Sequence, residues 1–260
     1  MNQVLYMLSN PALAYSLNIL LALCFGSFIT LLVARFSVQE CESGTLFLSL
    51  CRPRSHCPSC LRSIKIRHLL PVISYLLLRG RCASCKTAFG MQYLAIELSA
   101  LLLGLLVCLH SRMFDPALLA FVLICLALAI IDFKTQILPD FLTLGGIWLG
   151  LILSAFGIGV PLVSAVIGAA VIYCLGVSVE LIYKLVRKRN GLGRGDSKLL
   201  ALFAVWLGLQ GALHALLVGV SVALLVSVYL LLTKKMRYDQ PISFGPFLVV
   251  GALAVLFNPF

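Results

Sequence analysis

Long apolar segments separated by short polar stretches organise this chain of 260 residues. The apolar runs fall at 11–34, 91–110, 116–132, 137–157, 160–185, 198–209, 211–232 and 244–259. Most are close to or above the roughly 20 residues that an α-helix needs to cross a bilayer. The stretch 198–232 is too long for one crossing, and we divide it at the sequence LGLQG. The pattern therefore predicts an all-α polytopic membrane protein with about eight transmembrane helices, with seven as the alternative if that division is wrong.

The composition supports a membrane protein. The mean hydropathy is +1.09 and 62% of the residues are hydrophobic, which excludes an ordinary soluble domain. The first apolar segment has no basic residue before it and is longer than the apolar core of a secretory signal. We therefore interpret residues 1–34 as a first transmembrane helix that the mature protein keeps.

The basic residues lie almost entirely on one side of the predicted topology. The chain has 20 Lys and Arg against 9 Asp and Glu, a net charge of +11. With eight crossings only Arg112 falls on the opposite side, so the positive-inside rule places the basic loops in the cytoplasm and both termini outside. Such loops also contact anionic lipid head groups. We therefore expect membrane lipid, and no nucleic acid, as a partner.

Residues 35–90 form the only large polar insertion, and they contain the sequences CPSC and CASC separated by 21 residues. The four cysteines are Cys57, Cys60, Cys82 and Cys85. Paired C-x-x-C motifs with such a spacer are typical of a tetrahedral zinc site. Disulfides are the alternative, but thiols in the cytoplasm are kept reduced. We predict structural zinc, because four protein ligands leave no open position for a reactant.

Between the two cysteine motifs lies the apolar sequence LLPVISYLLLRGR. It is too short to cross a bilayer, and we interpret it as a re-entrant or interfacial helix. The predicted organisation is a first transmembrane helix at 1–34, a cytoplasmic tetracysteine domain at 35–90 and a transmembrane domain at 91–260.

Two aspartates stand at the ends of apolar helices: Asp132 in LAIIDFKTQILPD and Asp196 in GLGRGDSKLLA. A charge within hydrocarbon costs roughly 3 kcal/mol or more, so such residues are usually functional. The topology brings both to the same face, and Gly193 and Gly195 permit irregular backbone there. Considered singly, Asp196 is explained as a helix N-cap and Asp132 as a solvated loop residue. Together they favour a pair sharing one proton, with one member acting as base towards water and the other donating to a carbonyl.

Three other acidic residues have ordinary interpretations. Asp140 follows a proline at a predicted helix start, where a carboxylate caps the helix or favours its dipole. Glu97 and Glu180 lie within predicted helices, where they line a cavity or pair with a neighbouring helix.

A transporter that relays ions is the alternative function, and it predicts acidic residues in the middle of several helices. The position of Asp132 and Asp196 at helix ends favours a protease.

From about Gly26 to Pro246 the chain closely resembles the type IV prepilin peptidases, which are bacterial membrane aspartyl proteases of the GxGD type. Five motifs in order carry the resemblance: FGSF with Gly26 and Ser27, the tetracysteine frame with LLLRGRC, ID…ILPDFLTL…WLGL, GLGRGDSKLLA, and SFGPF.

The resemblance implies an eight-helix protein of the bacterial inner membrane, with Asp132 and Asp196 as the catalytic pair near the cytoplasmic face. It implies cleavage of the basic leader from type IV prepilins or type II secretion pseudopilins after a glycine. It also implies N-methylation of the new N-terminal residue with S-adenosylmethionine. That activity is tied to the tetracysteine domain, with Gly80 and Arg81 in the implicated region, and 91–260 becomes the aspartyl protease domain.

Two positions depart from the family pattern in the region tied to methylation. Thr30 stands where the family usually has the asparagine of GSFLN, and Leu70 stands where it often has the asparagine of NIPVLS. A side-chain amide both donates and accepts hydrogen bonds, so its loss removes contacts to methyl donor or substrate. A dedicated leader peptidase without methylase activity is therefore the alternative. A pseudoenzyme is disfavoured because both aspartates and the GRGD sequence are present.

Overall fold

The computed structural model describes residues 11–36, 57, 59–63, 71–88, 90–111, 114–187, 193–234 and 242–258. Leu70 and Arg112 lie outside these residues. Within them the backbone is helical apart from turns, loops and isolated bridge residues, which are Ser63 and the antiparallel pair Arg81 and Ala88. The all-α prediction is therefore confirmed for the described part of the chain.

Eight helices occur in the described residues. They are α1 (Pro11–Arg35), α2 (Ile73–Leu77), α3 (Met91–Ser111), α4 (Pro116–Thr135), α5 (Asp140–Ala155), α6 (Leu162–Arg187), α7 (Arg194–Leu232) and α8 (Gly245–Phe257). Five helices (α1, α3, α4, α6 and α7) are long and apolar enough to cross a membrane, and α5 and α8 are shorter apolar helices. The backbone of α7 is non-helical at Gly208, within the LGLQG sequence where a break was predicted. The count of eight crossings stays a prediction.

The chain divides into two compact units, residues 1–127 and 128–260. In the first unit α1 packs against α3. The helices approach closely at Gly26, since a Cβ added there would lie 2.7 Å from the Cβ of Ala100. By packing, α3 thus groups with the first helix, and the same unit includes the first part of α4, up to residue 127. The predicted boundaries at 34 and 90 remain a prediction.

The sequence between the cysteine motifs contains the short helix α2. It has 5 residues, and its apolar side chains Leu76 and Leu77 are exposed. A helical segment too short to span a bilayer is therefore present where one was predicted. Its contact with a membrane surface stays a prediction.

In the second unit α7 is the central helix. It packs against α5, α6 and α8, and every residue from Leu199 to Val205 is buried. Because this segment of α7 is apolar and covered on all sides, it forms the core of the unit. Asp196 lies in the first turn of this helix. The aspartate therefore sits at one end of the core.

Candidate active site

Asp132 lies in the last turn of α4 and is 5% exposed. Its Oδ2 accepts a hydrogen bond from the N–H of Gly245 at 2.9 Å. The interpretation of Asp132 as a solvated loop residue is therefore wrong. The side chain is buried and held by a backbone donor from another helix.

Gly245 is the first residue of α8, and Pro246 follows it. The first N–H groups of a helix have no partner within the helix and form its positive end, so they suit a carboxylate. A Cβ on Gly245 would lie 2.7 Å from Asp132 Oδ2 and 3.0 Å from its Cγ. Only glycine allows this approach. The sequence gives no direct sign that Gly245 contacts Asp132, although the Gly-Pro pair in SFGPF is a signal for a helix start.

Asp196 lies in the first turn of α7, whose N-cap is Gly193. The interpretation of Asp196 as the N-cap itself is therefore wrong. Its carboxylate accepts a hydrogen bond from the Gly193 N–H, and its own N–H donates to the Gly193 carbonyl at 3.0 Å. An acidic residue that reaches back to the N-cap N–H is a common way to begin a helix. Gly195 packs against Leu138, which brings the GRGD sequence beside ILPD.

The carboxylates of Asp132 and Asp196 lie close enough to interact electrostatically. Each is also in contact with backbone N–H groups at the start of a helix, α8 for Asp132 and α7 for Asp196. The structure thus brings together the two aspartates that the sequence singled out. Two carboxylates in one site favour a single shared proton.

The other acidic residues of this unit have separate partners. Asp140 begins α5 after the N-cap Pro139, and no N-cap side-chain hydrogen bond is made there. The Asp140 side chain is largely exposed and pairs with Lys198. It therefore has the predicted place at a helix start. Glu180 on α6 pairs with Arg194 at 3.3 Å, which confirms that it faces a neighbouring helix.

The four cysteines of the two motifs form one cluster. Their Sγ atoms all lie within 4.8 Å of one another, and the Sγ atoms of Cys57 and Cys85 are 3.7 Å apart. A tetrahedral zinc ion with bonds of about 2.3 Å separates its sulfur ligands by about 3.8 Å. All four are free thiols. The residues present therefore fit zinc.

The two C-x-x-C motifs have the same local fold. In each, the first cysteine accepts at its carbonyl from a residue four positions later and donates its N–H to a carbonyl five positions later. The residue after the second cysteine, Leu61 or Lys86, has a positive φ. Hydrogen bonds from the hydroxyl and N–H of Thr87 lower the pKa of the Cys85 thiol to about 6. A thiolate is the form that binds metal, so this turn prepares Cys85 as a ligand.

Gly80 and Arg81 come immediately before Cys82. Gly80 has φ +66, its N–H donates to the Tyr75 carbonyl at 2.8 Å, and the Tyr75 ring occupies the space beside its Cα. Arg81 is exposed. Gly80 therefore shapes the turn that joins α2 to the second cysteine motif. A direct contact of either residue with a methyl donor stays a prediction.

The arrangement defines a class of protein: a helical membrane protein with an acidic pair at the end of a helix core, in which Asp132 is buried and Asp196 partly exposed, and with a tetracysteine site in its N-terminal unit. Comparisons with known proteins give the family. Residues 20–111 match the family model described as Bacterial Peptidase A24 N-terminal domain, and residues 119–228 match the Type IV leader peptidase family.

Curated relatives extend the match over most of the chain. A prepilin leader peptidase/N-methyltransferase of Pseudomonas putida is 36% identical over 270 residues, which cover 97% of this chain and 94% of the relative. A protein of the same name from Dichelobacter nodosus is 39% identical over 211 residues, covering 79% and 72%. No solved structure matches. The chain belongs to the type IV leader peptidase family.

Proposed function

We propose that this protein is an aspartic endopeptidase that removes the basic leader from type IV prepilins or type II secretion pseudopilins after a glycine. We further propose that it methylates the new N-terminal residue. Relatives named prepilin leader peptidase/N-methyltransferase support both activities. The protein would act in the bacterial inner membrane, with the acidic pair at the cytoplasmic face.

The observation that carries the proposal is the electrostatic interaction between the Asp132 and Asp196 carboxylates at the end of the α7 core. In the proposed reaction the ionised member removes a proton from water, and the oxygen of that water forms a bond to the scissile carbonyl carbon. The protonated member donates to the carbonyl oxygen. Collapse of this intermediate breaks the C–N bond, and the leaving nitrogen takes up a proton. The products are a leader carboxylate and a new amine.

Backbone contacts support a preorganised pair. The Gly245 N–H fixes one oxygen of Asp132, and the Gly193 N–H contacts Asp196. Because these donors are backbone groups at helix starts within the same unit, both carboxylates are held without a substrate. Fixed dipoles of this kind stabilise charge that changes during a reaction.

The side of the membrane is inferred from charge. Basic loops are retained in the cytoplasm. Arg194 and Lys198 flank Asp196, and Lys134 follows Asp132 by two residues. The acidic pair would therefore face the cytoplasm.

The methylation part rests on the N-terminal unit. When bound there, S-adenosylmethionine supplies the methyl group, and Gly80 and Arg81 lie in the region that would hold it. Zinc on the four cysteines would be structural. It would fix the turns on either side of α2, since its tetrahedral shell is filled by protein ligands.

One observation favours the second candidate, a dedicated leader peptidase. Thr30 is buried, and its hydroxyl donates to the Gly26 carbonyl within α1 at 2.9 Å. The family usually has an asparagine here, whose amide both donates and accepts hydrogen bonds. The Thr30 hydroxyl, which donates within its own helix, therefore does not replace that amide. Mass spectrometry of mature pilin from cells carrying this enzyme separates the candidates. A methylated N-terminus is expected, and an unmethylated N-terminus on fully cleaved pilin would establish the dedicated peptidase.

The cleavage proposal is tested by replacing each aspartate. Asp132→Asn and Asp196→Asn are each expected to abolish leader cleavage, because either change removes the shared proton or the base, while the protein still inserts in the membrane. Asp140→Asn is the matched control: Asp140 is exposed and pairs with Lys198, so its loss should leave most activity. Cleavage near the wild-type rate in either of the first two variants would refute the assignment.

A further inference from the structure

We propose that Glu97 anchors residues 71–81 to the α1–α3 pair and so acts as a positioning residue for the N-methylation step. The activity part of this inference rests on the proposed function. The anchor itself depends only on contacts within the N-terminal unit.

Three elements of the first unit meet at the Glu97 carboxylate. The Val72 N–H donates to Glu97 Oε2 at 2.7 Å, and the Ser27 hydroxyl also hydrogen-bonds to this carboxylate. Ser27 lies on α1, Glu97 on α3, and Val72 directly precedes α2. The carboxylate therefore ties the start of α2 to two membrane helices.

The backbone at Val72 shows why an anchor is needed. Val72 has φ 59 and ψ −51, a conformation that a β-branched residue rarely adopts. Strained backbone of this kind persists only where the surroundings hold it. A hydrogen bond to a carboxylate is shorter and stronger than a neutral one, so Glu97 supplies that hold.

A continuous path leads from Val72 to the predicted methyl-donor region. α2 begins at the next residue and carries Tyr75 in its middle. The Tyr75 carbonyl accepts from the Gly80 N–H at 2.8 Å, and the Tyr75 ring covers Gly80. Arg81 and Cys82 follow directly. A displacement of Val72 would therefore move the Gly80–Arg81 turn relative to the membrane helices.

The experiment compares Glu97→Ala with Glu97→Gln in the full-length, zinc-loaded protein. Glu97→Ala removes the acceptor and is expected to lower methyl transfer by about tenfold or more. Glu97→Gln should retain most methyl transfer, because its amide oxygen still accepts the Val72 N–H. Leader cleavage should stay near wild type in both, since the acidic pair belongs to residues 128–260. Ser99→Ala is the matched control, because this hydroxyl bonds within α3 to the Ala95 carbonyl.

Amide hydrogen exchange over residues 71–81 provides a readout that needs no methylase activity. Exchange should be clearly faster in Glu97→Ala and close to wild type in Glu97→Gln, because the amide oxygen still accepts the Val72 N–H through a weaker hydrogen bond. If the wild-type protein does not methylate, the methylation part of the proposed function fails. The exchange rates of residues 71–81 still show whether Glu97 anchors this segment. Unchanged exchange in Glu97→Ala would overturn the inference. A Glu97→Gln variant as defective in methyl transfer as Glu97→Ala would also overturn it, since the negative charge rather than the acceptor would then be required.

Discussion

At the residue scale, the Asp132 carboxylate can approach the backbone of residue 245 because glycine has no Cβ. The Gly245 N–H and the Asp132 Oδ2 are 2.9 Å apart, and there is no room for a methyl group beside them. The carboxylate is thus held by a backbone N–H that every residue except proline would retain at position 245. Changing the side chain at position 245 displaces the carboxylate.

Gly245→Ala is therefore expected to impair leader cleavage although it adds only one methyl group. A Cβ 2.7 Å from Oδ2 forces the carboxylate to move, and a displacement near 1 Å in an active site costs about 10²-fold in rate. Steady-state cleavage of a prepilin by purified enzyme measures the effect. Gly145→Ala on α5 is the control, because nothing lies within 4 Å of its added Cβ. Equal rates for the two variants would contradict this account of Asp132.

At the element scale, the two cysteine motifs form matching turns on either side of α2. Each turn directs two thiols to one point, and Arg62 from the first turn donates to Ser84 of the second at 3.4 Å. The turns are short and have little apolar surface of their own to bury. A metal that joins four side chains can supply the stability that such a small element lacks.

Purified protein is expected to contain about one zinc per chain, because four thiolates complete one tetrahedral shell. Replacing Cys57 and Cys60 together with serine should remove it, as measured by elemental analysis. Cys174→Ser is the control, since Cys174 lies on α6 outside the cluster. Fully active protein without zinc, or disulfide-bonded cysteines in cells, would exclude the site.

At the scale of the whole molecule, the basic loops predict how the chain crosses the membrane. The turn between α4 and α5 should face the cytoplasm, and the turn between α5 and α6 should face outward. Ile137 and Ile158 are exposed residues in these two turns. Cysteines introduced at these two positions would report which turn lies on which side of the membrane.

A membrane-impermeant thiol reagent added to intact spheroplasts should label Ile158→Cys, whereas Ile137→Cys should react only after the membrane is opened. The reason is that α5 would separate the two positions by one crossing. The parent chain without an introduced cysteine provides the background. Labelling of both positions from outside, or the reverse pattern, would contradict the predicted orientation.

The all-helical class, the break in α7 and the composition of both candidate sites were predictable from the sequence. Apolar length determines which segments form membrane helices, since bilayer thickness sets the required number of residues. Paired C-x-x-C motifs predict a four-thiol cluster, because each motif brings two ligands together within one turn. Asp132 and Asp196 were identifiable because charge is rare in apolar segments and costly there. Each of these inferences uses information within about one helix or one turn.

Only the tertiary structure decided how distant residues meet. It buried the Asp132 side chain, and it brought Gly245, which is 113 positions away, to its carboxylate. It also grouped α3 with α1 and brought Val72 to Glu97. These contacts depend on how helices pack, and packing is set by the joint shape of several surfaces at once. Hydrophobic pattern and motif spacing determine what each segment becomes, whereas helix packing determines which backbone N–H meets which carboxylate.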